Sequence, residues 1–558
     1  MPPSSANISR RVQRLKRRSA RAAVMVLRGR RPVFGFGVVR LWLIALVIGA
    51  MAAYGAIFLR MVIDAVSLIA FGETEEMMAS GAGAVGKVRA FLAPVIGGFA
   101  VAGLLYLSDR FKWLTGGRGQ GIAQVIEARA VRDGAISWKT GLAAAAVSAV
   151  SLGAGASAGR EGPAVHFGAT IASFIDRNLG FTAHERRTLL GCGAAAAVSA
   201  SFNAPIAGVL FALEVIMGNY ALSIFGPIAA ASVMGAIIAR THLGNSPAFE
   251  VPVYGAIANI DVPLSALLGL MCGLVACLFL ILVKRLTNWS RAMADRRGLN
   301  YLYLPPLGGV IIGSIGIFFP EIFGVSYEAV TRTLAGDYTL RILFLLLILK
   351  MFATAVTLSA RFGGGVFSPG LVMGALVGAA FGGTLNAYIP GSVADPAFYA
   401  MVGMGAASGA IIGAPISTTL IVFELTGDYG MTISLMVAVA LATLVVQSLI
   451  GKTFFHWQLS RRGYDLSEGP QGVILQTIRV RDVMDKMPPG TPLAKDAPRL
   501  LTKHSLGEAI ARLEKLEEIG LPVVEEKAPA ESVGYLTRVK ALASYNRALV
   551  DSHIEHHR

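Results

Sequence analysis

The sequence is poor in charged residues and in cysteine, and both shortages narrow what the protein can be. Only 15% of its 558 residues are charged, while 54% are hydrophobic, which is unlike a soluble globular chain. The three cysteines, Cys192, Cys272 and Cys277, stand in apolar segments without metal-ligand spacing, and we interpret them as packing residues. The composition argues against a disulfide framework or a cysteine metal site, and it favours a protein that lies in a membrane.

The body of the chain also lacks the motifs of common metalloenzymes, with no HExxH and no Cys/His cluster. Residues 155–159 read GASAG and match GxSxG, but this short string lies in an apolar, glycine-rich run and is by itself a weak signal for a hydrolase. We therefore predict that the protein is not an enzyme, with no catalytic residue, no metal and no cofactor in its body.

Long uncharged runs are what the sequence has in abundance. Residues 41–59, 262–283 and 431–450 reach or approach the roughly 20 residues that a helix needs to cross a bilayer. Other apolar stretches, such as 141–159 and 191–217, are interrupted by glycine, proline or a charge. The pattern predicts an all-α polytopic membrane protein with several short or broken helices.

The net charge of +16 has its most compact source at the N-terminus, where ten Lys and Arg residues fall between Arg10 and Arg31 without an acid. The positive-inside rule predicts a cytoplasmic arm over residues 1–35, which we expect to contact lipid headgroups rather than nucleic acid. An apolar domain over 36–463 follows, and the charged tail at 476–558 reads as a small cytoplasmic α/β module.

The apolar body contains an internal repeat. Residues 191–195 and 403–407 read GCGAA and GMGAA, and each segment is followed by Ala-Pro-Ile and then, ten residues after that alanine, by Glu214 or Glu424. We predict two homologous halves, about 36–240 and 260–460. Duplicated halves with broken apolar helices build the midplane site of many transporters, although a duplicated scaffold could also just pack small residues between helices.

Three glycine-rich segments, 116–122, 159–163 and 363–369, suit an anion site, because glycine lets backbone N–H groups approach an anion that has lost its water. Glu161 stands in one of them, between apolar runs where an acid is costly unless it functions. A carboxylate in an anion site would mimic the anion, and its protonation would free the site. This predicts a gate, a proton carrier or both; a structural Arg160–Glu161 ion pair is the alternative.

Several of these segments together resemble one family. Residues 159–163 read GREGP, 365–369 read GVFSP, 202–205 read FNAP and 424–429 read ELTGDY. In this order, over roughly residues 40–463, they resemble the CLC chloride channels and transporters. The resemblance implies inverted repeats, a homodimer with one anion pathway in each subunit, and Glu161 as the external gate and proton-transfer residue.

The resemblance also implies a set of residues around the anion. These are Gly119, Gln120, Gly121, Gly159, Arg160, Gly162, Gly365, Val366, Phe367 and Phe455. Gln120 replaces the family's anion-binding serine but can still donate through its amide. Phe455 replaces the pore tyrosine and lacks its hydroxyl donor. The preferred anion therefore stays open, with chloride the first expectation.

Two further positions bear on proton coupling. Val215 stands where antiporters of the family commonly carry an internal proton-transfer glutamate, and valine cannot carry a proton. Glu214 could substitute, but its repeat partner Glu424 favours a structural role for both acids. His166 could relay protons or donate a packing hydrogen bond. We predict channel-like or weakly proton-coupled transport of chloride or a related small anion, with a strict anion/proton antiporter as the alternative.

The tail resembles a single cystathionine-β-synthase (CBS) domain, through residues 480–484 and 534–537. Lys540 stands where such domains usually hold a nucleotide ribose with Asp, so we do not expect a bound nucleotide, and pairing of two tails in a dimer is the expected role. The expected location is the plasma or inner membrane with both termini cytoplasmic. The remote alternatives are a membrane-embedded enzyme and a non-transporting sensor that uses the tail.

Overall fold

The computed structural model describes residues 36–114, 121–177, 179–244, 259–464, 475–476, 478–492, 498–526 and 528–557. The basic arm predicted at 1–35 lies outside the described residues, as do Gly119 and Gln120.

The first half of the body is helical, with a 3-10 turn at Glu75–Met77 between its first two helices. Its helices are α1 (Phe36–Phe71), α2 (Met78–Ala84), α3 (Lys87–Arg110), α4 (Ile122–Val131), α5 (Trp138–Gly153), α6 (Glu161–Asp176), α7 (Ala183–Phe202), α8 (Pro205–Phe211) and α9 (Leu222–Leu243). A π-helical turn, Ala212–Met217, extends α8.

The second half is built in the same way from long helices and short ones. They are α10 (Asp261–Arg296), α11 (Leu304–Gly316), α12 (Tyr327–Leu334), α13 (Leu340–Ser359), α14 (Phe367–Tyr388), α15 (Pro396–Ile412), α16 (Pro415–Thr426), α17 (Tyr429–Ile450) and α18 (Phe454–Ser460).

Seven helices among the described residues are long and apolar enough to cross a membrane. The runs predicted to span, 41–59, 262–283 and 431–450, fall inside α1, α10 and α17. Helices such as α8 and α16 are too short to cross alone, as the interruptions by glycine and proline predict. The predicted all-α polytopic fold is confirmed.

The repeated Gly-Ala and Ala-Pro-Ile segments form the same junction in both halves. Helix α7 ends at Asn203 and α15 at Gly413, each in the left-handed conformation, with φ of 56° and 75°. Pro205 and Pro415 then open α8 and α16, where a missing N–H costs no hydrogen bond. The motif thus encodes a helix, a reversal and a short second helix.

Glycines allow the helices that carry these motifs to pack with their backbones in contact. A Cβ on Gly168 of α6 would come within 2.5 Å of the Gly193 carbonyl oxygen on α7. A Cβ on Gly374 of α14 would come within 2.0 Å of the Gly403 carbonyl oxygen on α15. Such close crossings need small residues, and they fix the helix pairs on which the glycine-rich segments stand.

Contacts between segments define two faces of the body. The Arg40 guanidinium, at the start of α1, lies over the ring of Phe181, which directly precedes α7. Asp133, after α4, pairs with Arg187 of α7. Glu127 of α4 pairs with Arg462, just after α18. These segments lie on one face, which we call the inner face, as a label that states no orientation in the cell. Helix α1 has 36 residues and is therefore about 54 Å long, which exceeds the thickness of a bilayer. From this length we infer that the 3-10 turn Glu75–Met77, which follows α1, lies on the opposite face, which we call the outer face.

The charged tail folds as a small α/β module. Among the described residues of the tail, a four-stranded sheet in the order β1-β4-β3-β2 is accompanied by helices. In chain order the elements are α19 (Val480–Val483), β1 (Asp485–Pro492), β2 (Leu500–Leu501), α20 (Leu506–Lys515), β3 (Gly520–Glu525), β4 (Ala528–Thr537) and α21 (Arg538–His557). Strands β1 and β2 have weak sequence signals, because β1 is rich in proline and β2 is two residues long. Ser505 and Glu508 form a capping box at the start of the amphipathic α20.

Candidate functional site

The N-termini of two helices, α6 and α14, meet at one place in the structure. A short antiparallel bridge joins the residues before them, with Gly159 N–H donating to the Gly365 oxygen at 2.8 Å and Gly365 N–H donating to the Gly159 oxygen at 2.7 Å. Helix α6 begins directly afterwards at Glu161 and α14 at Phe367. The bridge therefore brings the GREGP and GVFSP segments of the two halves together, as the resemblance implies.

Both N-termini leave backbone donors without helical acceptors. The first N–H groups of any helix lack an intrahelical partner, and neither helix start has a side-chain cap. Pro163 and Pro369 occupy the third position of each helix, so the free donors are concentrated on the first two residues. Two positive helix ends pointing into one place form a site that suits a negative charge.

Glu161 supplies a negative charge at that place. Its side chain is buried, and Oε1 accepts two hydroxyl hydrogen bonds, from Tyr327 at 2.9 Å and from Ser368 at 2.5 Å. Oε2 is also buried and has no hydrogen-bond partner among the described residues. One oxygen of the Glu161 carboxyl group is thus held by two hydroxyl groups, and the other has no protein donor among the described residues.

Gly159 gives this carboxylate its space. A Cβ at position 159 would lie 2.5 Å from Glu161 Oε2 and 3.1 Å from the Ser368 nitrogen. Gly162 is less tightly enclosed: its Cβ would lie 3.3 Å from the Gly365 Cα, so the facing backbone would have to move by a few tenths of an ångström. Side chains at these positions would displace the carboxylate or separate the two helix starts, which explains the glycines in physical terms.

Arg160 is turned towards the outer face. Its guanidinium donates to Glu75 at 3.1 Å and to Glu76 at 3.3 Å, and it lies over the ring of Tyr327 at 5.1 Å. No hydrogen bond joins the Arg160 side chain to Glu161 within the described part of the chain. The Arg160–Glu161 ion pair considered as an alternative is not what holds the Glu161 side chain; the hydroxyl groups of Tyr327 and Ser368 hold it.

A small cavity adjoins Glu161 on the other side, and its walls are otherwise apolar. The described residues that line it are Ile122, Glu161, Val198, Phe202, Phe211, Phe367, Ile412, Ile421 and Phe455. Phe455, at the start of α18, therefore faces the same space as Glu161, as the family pattern implies. Among these described lining residues, Glu161 alone has an ionisable side chain.

Of the remaining residues predicted to surround the anion, the structure describes some and leaves others outside the described residues. Gly121 precedes α4 with φ of 90°, and the next residue, Ile122, lines the cavity. Val366 is buried as the N-cap residue of α14. Gly119 and Gln120, which carry the departure from the family's serine, lie outside the described residues.

Glu214 and Glu424 cap helices of the opposite half. The Glu214 carboxylate accepts from the N–H groups of Ile416 at 3.1 Å and Ser417 at 2.8 Å, at the start of α16. Glu424 accepts from Ile206 at 3.0 Å and Ala207 at 2.7 Å, at the start of α8. The two acids repeat one exchange across the two halves, and both are engaged at helix N-termini rather than at the cavity.

Val215 lies beside Glu214 in the π-helical turn and packs partly buried against the core. His166 is buried on α6, and its Nε2 has no hydrogen-bond partner among the described residues. It is absent from the described cavity lining. Neither residue adds a titratable group to the space around Glu161.

Sequence reasoning missed three residues of this site. Tyr327 lies 166 positions from Glu161 and stands in no motif, so only the fold could reveal it. Ser368 was within the GVFSP segment, and a hydroxyl beside a helix start was the available signal. Glu75 sits in an acidic turn that looks like an ordinary surface loop, yet its side chain is buried.

Comparison with known proteins places this chain in a family. Residues 97–447 match the family model described as voltage gated chloride channel, which covers more than half of the chain. The putative chloride channel protein ClcB-like of Ralstonia nicotianae is 34% identical over 351 residues, covering 62% of this chain and 80% of that protein. The H(+)/Cl(-) exchange transporter ClcA of Citrobacter koseri is 31% identical over 317 residues, covering 56% of this chain and 66% of that protein.

The fold comparison agrees. The X-ray structure of a slow cyanobacterial Cl⁻/H⁺ antiporter matches with a TM-score of 0.66 at 23% identity, covering 76% of this chain and 98% of that one. The CLC-type helical fold expected from the sequence is confirmed. On the family match, the motifs and the helix ends that meet at Glu161, this chain belongs to the voltage-gated chloride channel (CLC) family of anion-transport proteins.

Proposed function

We propose that this protein carries chloride or a related small anion through a pathway that Glu161 closes when ionised and opens when protonated, with weak or no coupling to proton movement. The observation that carries the proposal is the position of the Glu161 carboxylate. It lies at the meeting helix N-termini and is held there by Tyr327 and Ser368. An anionic side chain in a site built for anions competes with the transported ion, and protonation removes that competition.

Weak coupling is supported by the composition of the cavity. A coupled antiporter has to move a proton from the inner face to Glu161, and the described lining offers no second titratable side chain. Val215 replaces the internal acid of the family, and Glu214 is held by two backbone N–H groups of α16. Protons would therefore reach Glu161 more easily from the outer face.

Strict antiport remains the competing function because relatives of both kinds are similar to this chain. One similar protein is named a chloride channel and another an exchange transporter. Water entering the apolar cavity from the inner face could replace the missing acid. The two functions differ in whether a chloride gradient drives protons uphill.

The test is chloride efflux from liposomes that contain the purified protein, measured between pH 4.5 and 8.5. The parent should respond to pH, and Glu161→Gln, which has no titratable group but nearly the same shape, should be active and nearly independent of pH. Glu328→Gln is the matched control, because Glu328 follows Tyr327 in α12 but contacts Ser80 instead of the gate. A pH response that survives in Glu161→Gln would refute the gate.

We further propose the finer assignments that the family resemblance implies: a homodimer in a plasma or inner membrane, with both termini cytoplasmic and the tail modules pairing across the dimer. The contacts that place the start of α1 and the end of α18 on one face support two termini on the same side. The basic residues between Arg10 and Arg31 support the cytoplasm as that side. Accessibility labelling of single cysteines introduced at the two termini tests the orientation, and light scattering of the detergent complex tests the dimer.

A further inference from the structure

Glu75 is a buried acid that the proposed pathway does not use. Its side chain is completely inaccessible although it stands in a short turn between α1 and α2. Oε2 accepts from Arg160 at 3.1 Å, and Oε1 is buried without a hydrogen-bond partner among the described residues. A buried ionised carboxylate usually has both oxygens satisfied, so this arrangement suits a carboxyl group that holds a proton part of the time.

The charges that face Glu75 leave room for one more proton. The groups that surround it from every neighbouring element are Arg60 and Asp64 on α1, Glu76 in the same turn, Arg160 and Glu161 at the start of α6, Tyr327 on α12 and Lys350 on α13. Four carboxyl groups thus face two guanidinium groups and the amine of a fully buried lysine. Burial raises the pKa of Glu75 from 4.5 to about 7, and the nearby Arg160 offsets this only in part.

Glu75 is physically connected to the gate through two side chains. Arg160 donates to Glu75 and lies over the Tyr327 ring, and the Tyr327 hydroxyl donates to Glu161. Lys350 supports the same assembly, because its ammonium donates to the Gly324 carbonyl at 3.0 Å and to the Ser326 hydroxyl at 2.6 Å, directly before Tyr327. The acids on either side of Arg160 therefore compete for one positive charge.

We propose that Glu75 is a second proton-binding site, on the outer face, whose proton occupancy is linked through Arg160 to the ionisation of the gate residue Glu161. The proposal rests on the proposed function of Glu161. When Glu75 is ionised it takes up part of the Arg160 charge, and Glu161 binds its proton more readily. When Glu75 is protonated, Arg160 favours ionised Glu161 and the closed pathway.

Two linked acids titrate over a wider pH range than one. The parent should therefore show a shallow rise in flux with acidification, because each proton bound makes the other less favourable. Glu75→Gln keeps the shape and removes the charge, so Arg160 always favours ionised Glu161. Its flux should follow a steeper, single-site curve and should be about 3- to 10-fold lower than the parent's at pH 8, as expected for acids coupled by up to about one pK unit.

The experiment measures chloride efflux against outer pH for the parent and for Glu75→Gln, Glu75→Asp and Glu76→Gln. Glu76 is the matched control, because it bonds the same Arg160 but its side chain is 37% exposed. Glu76→Gln should change flux less than twofold. Glu75→Asp keeps an acid and should keep the shallow curve, and melting in detergent establishes whether each variant is folded.

The outcomes separate this proposal from the function on which it rests. Glu75→Gln introduced into Glu161→Gln should have no effect on flux at any pH. Suppose that Glu161→Gln removes the pH response. The linkage is then refuted, and the gate stands, if Glu75→Gln has the same flux curve as the parent. The same conclusion follows if Glu75→Gln changes flux equally in the parent and in Glu161→Gln. If Glu161→Gln leaves the pH response intact, the gate itself fails. If Glu75→Gln does not fold, the parent alone gives the test. A parent curve of flux against pH that is as steep as the titration of one isolated acid would overturn the linkage.

Discussion

Replacing Tyr327 with phenylalanine should release Glu161 from its seat and raise anion flux at neutral pH. The tyrosine hydroxyl donates to Glu161 Oε1 at 2.9 Å, and the hydrogen bond is buried. A hydrogen bond to a charged group contributes about 1.5–3 kcal/mol, which corresponds to roughly a 10- to 100-fold change in the fraction of protein with Glu161 seated. The phenylalanine ring can keep its place beside the Arg160 guanidinium, so the change is confined to one hydroxyl.

Ser368→Ala removes the other donor to the same oxygen and should have an effect of similar size. Because the two hydroxyls share one acceptor, the remaining donor can strengthen its bond when the other is lost, and the double variant should not equal the sum of the single variants. Flux should be limited by opening in the parent and by the pathway itself once Glu161 is free. Increases beyond that ceiling are not expected.

The assay is chloride efflux from liposomes at pH 7, followed with a chloride electrode at equal protein loading. Tyr338→Phe is the matched control, because the Tyr338 hydroxyl is buried but has no hydrogen-bond partner within the described residues. The reasoning is wrong if Tyr327→Phe stays within twofold of the parent. It is also wrong if the increase persists in Glu161→Gln, where there is no anionic seat to release.

Three further predictions concern the frame around the gate. Gly159→Ala should raise anion flux and weaken the dependence of flux on pH, because the alanine Cβ would lie 2.5 Å from Glu161 Oε2 and would displace the carboxylate. Chloride efflux measured against pH tests this, and a curve equal to the parent's contradicts it. Glu424→Gln should reduce the free energy of unfolding by about 1.5–3 kcal/mol, because an amide offers one acceptor oxygen where the carboxylate offers two to the two N–H groups. The variant should therefore melt at a lower temperature in detergent, and a melting temperature equal to the parent's contradicts the prediction. Burial raises the pKa of Glu75 from 4.5 to about 7, so the folded state resists its ionisation. The free energy of unfolding of the parent should therefore fall by on the order of 3 kcal/mol between about pH 4.5 and pH 8. The melting temperature of Glu75→Gln should not show this fall, and equal pH dependence of the two melting temperatures contradicts the prediction.

The repeat, the broken helices and the position of Glu161 could be predicted from the sequence because each has a local chemical signature. Glycine and proline punctuate helices wherever they stand, so GREGP, GVFSP and the two Ala-Pro-Ile segments mark helix starts without any knowledge of the fold. Glu161 was conspicuous because an acid between apolar runs needs a reason.

What the sequence could not reveal are contacts between distant segments. The position of Tyr327 on the gate depends on the packing of α12 near the start of α6, and no spacing within the chain encodes that. The caps show the same limit. Equivalent places in the repeat suggested a shared structural role for Glu214 and Glu424, but not that each caps a helix of the other half. Burial of Glu75 was equally invisible, since GETEE has the composition of an exposed turn.

The most direct test of the central claim records chloride efflux and proton uptake together, in liposomes with a chloride gradient, for the parent and for Glu161→Ala. We predict that chloride leaves in both, faster with Glu161→Ala at neutral pH, that the parent moves far fewer protons than chloride ions, and that the variant moves none. A parent that moves no anion would contradict anion transport by this chain, and a variant that still drives protons uphill would show that Glu161 is not the residue that carries them.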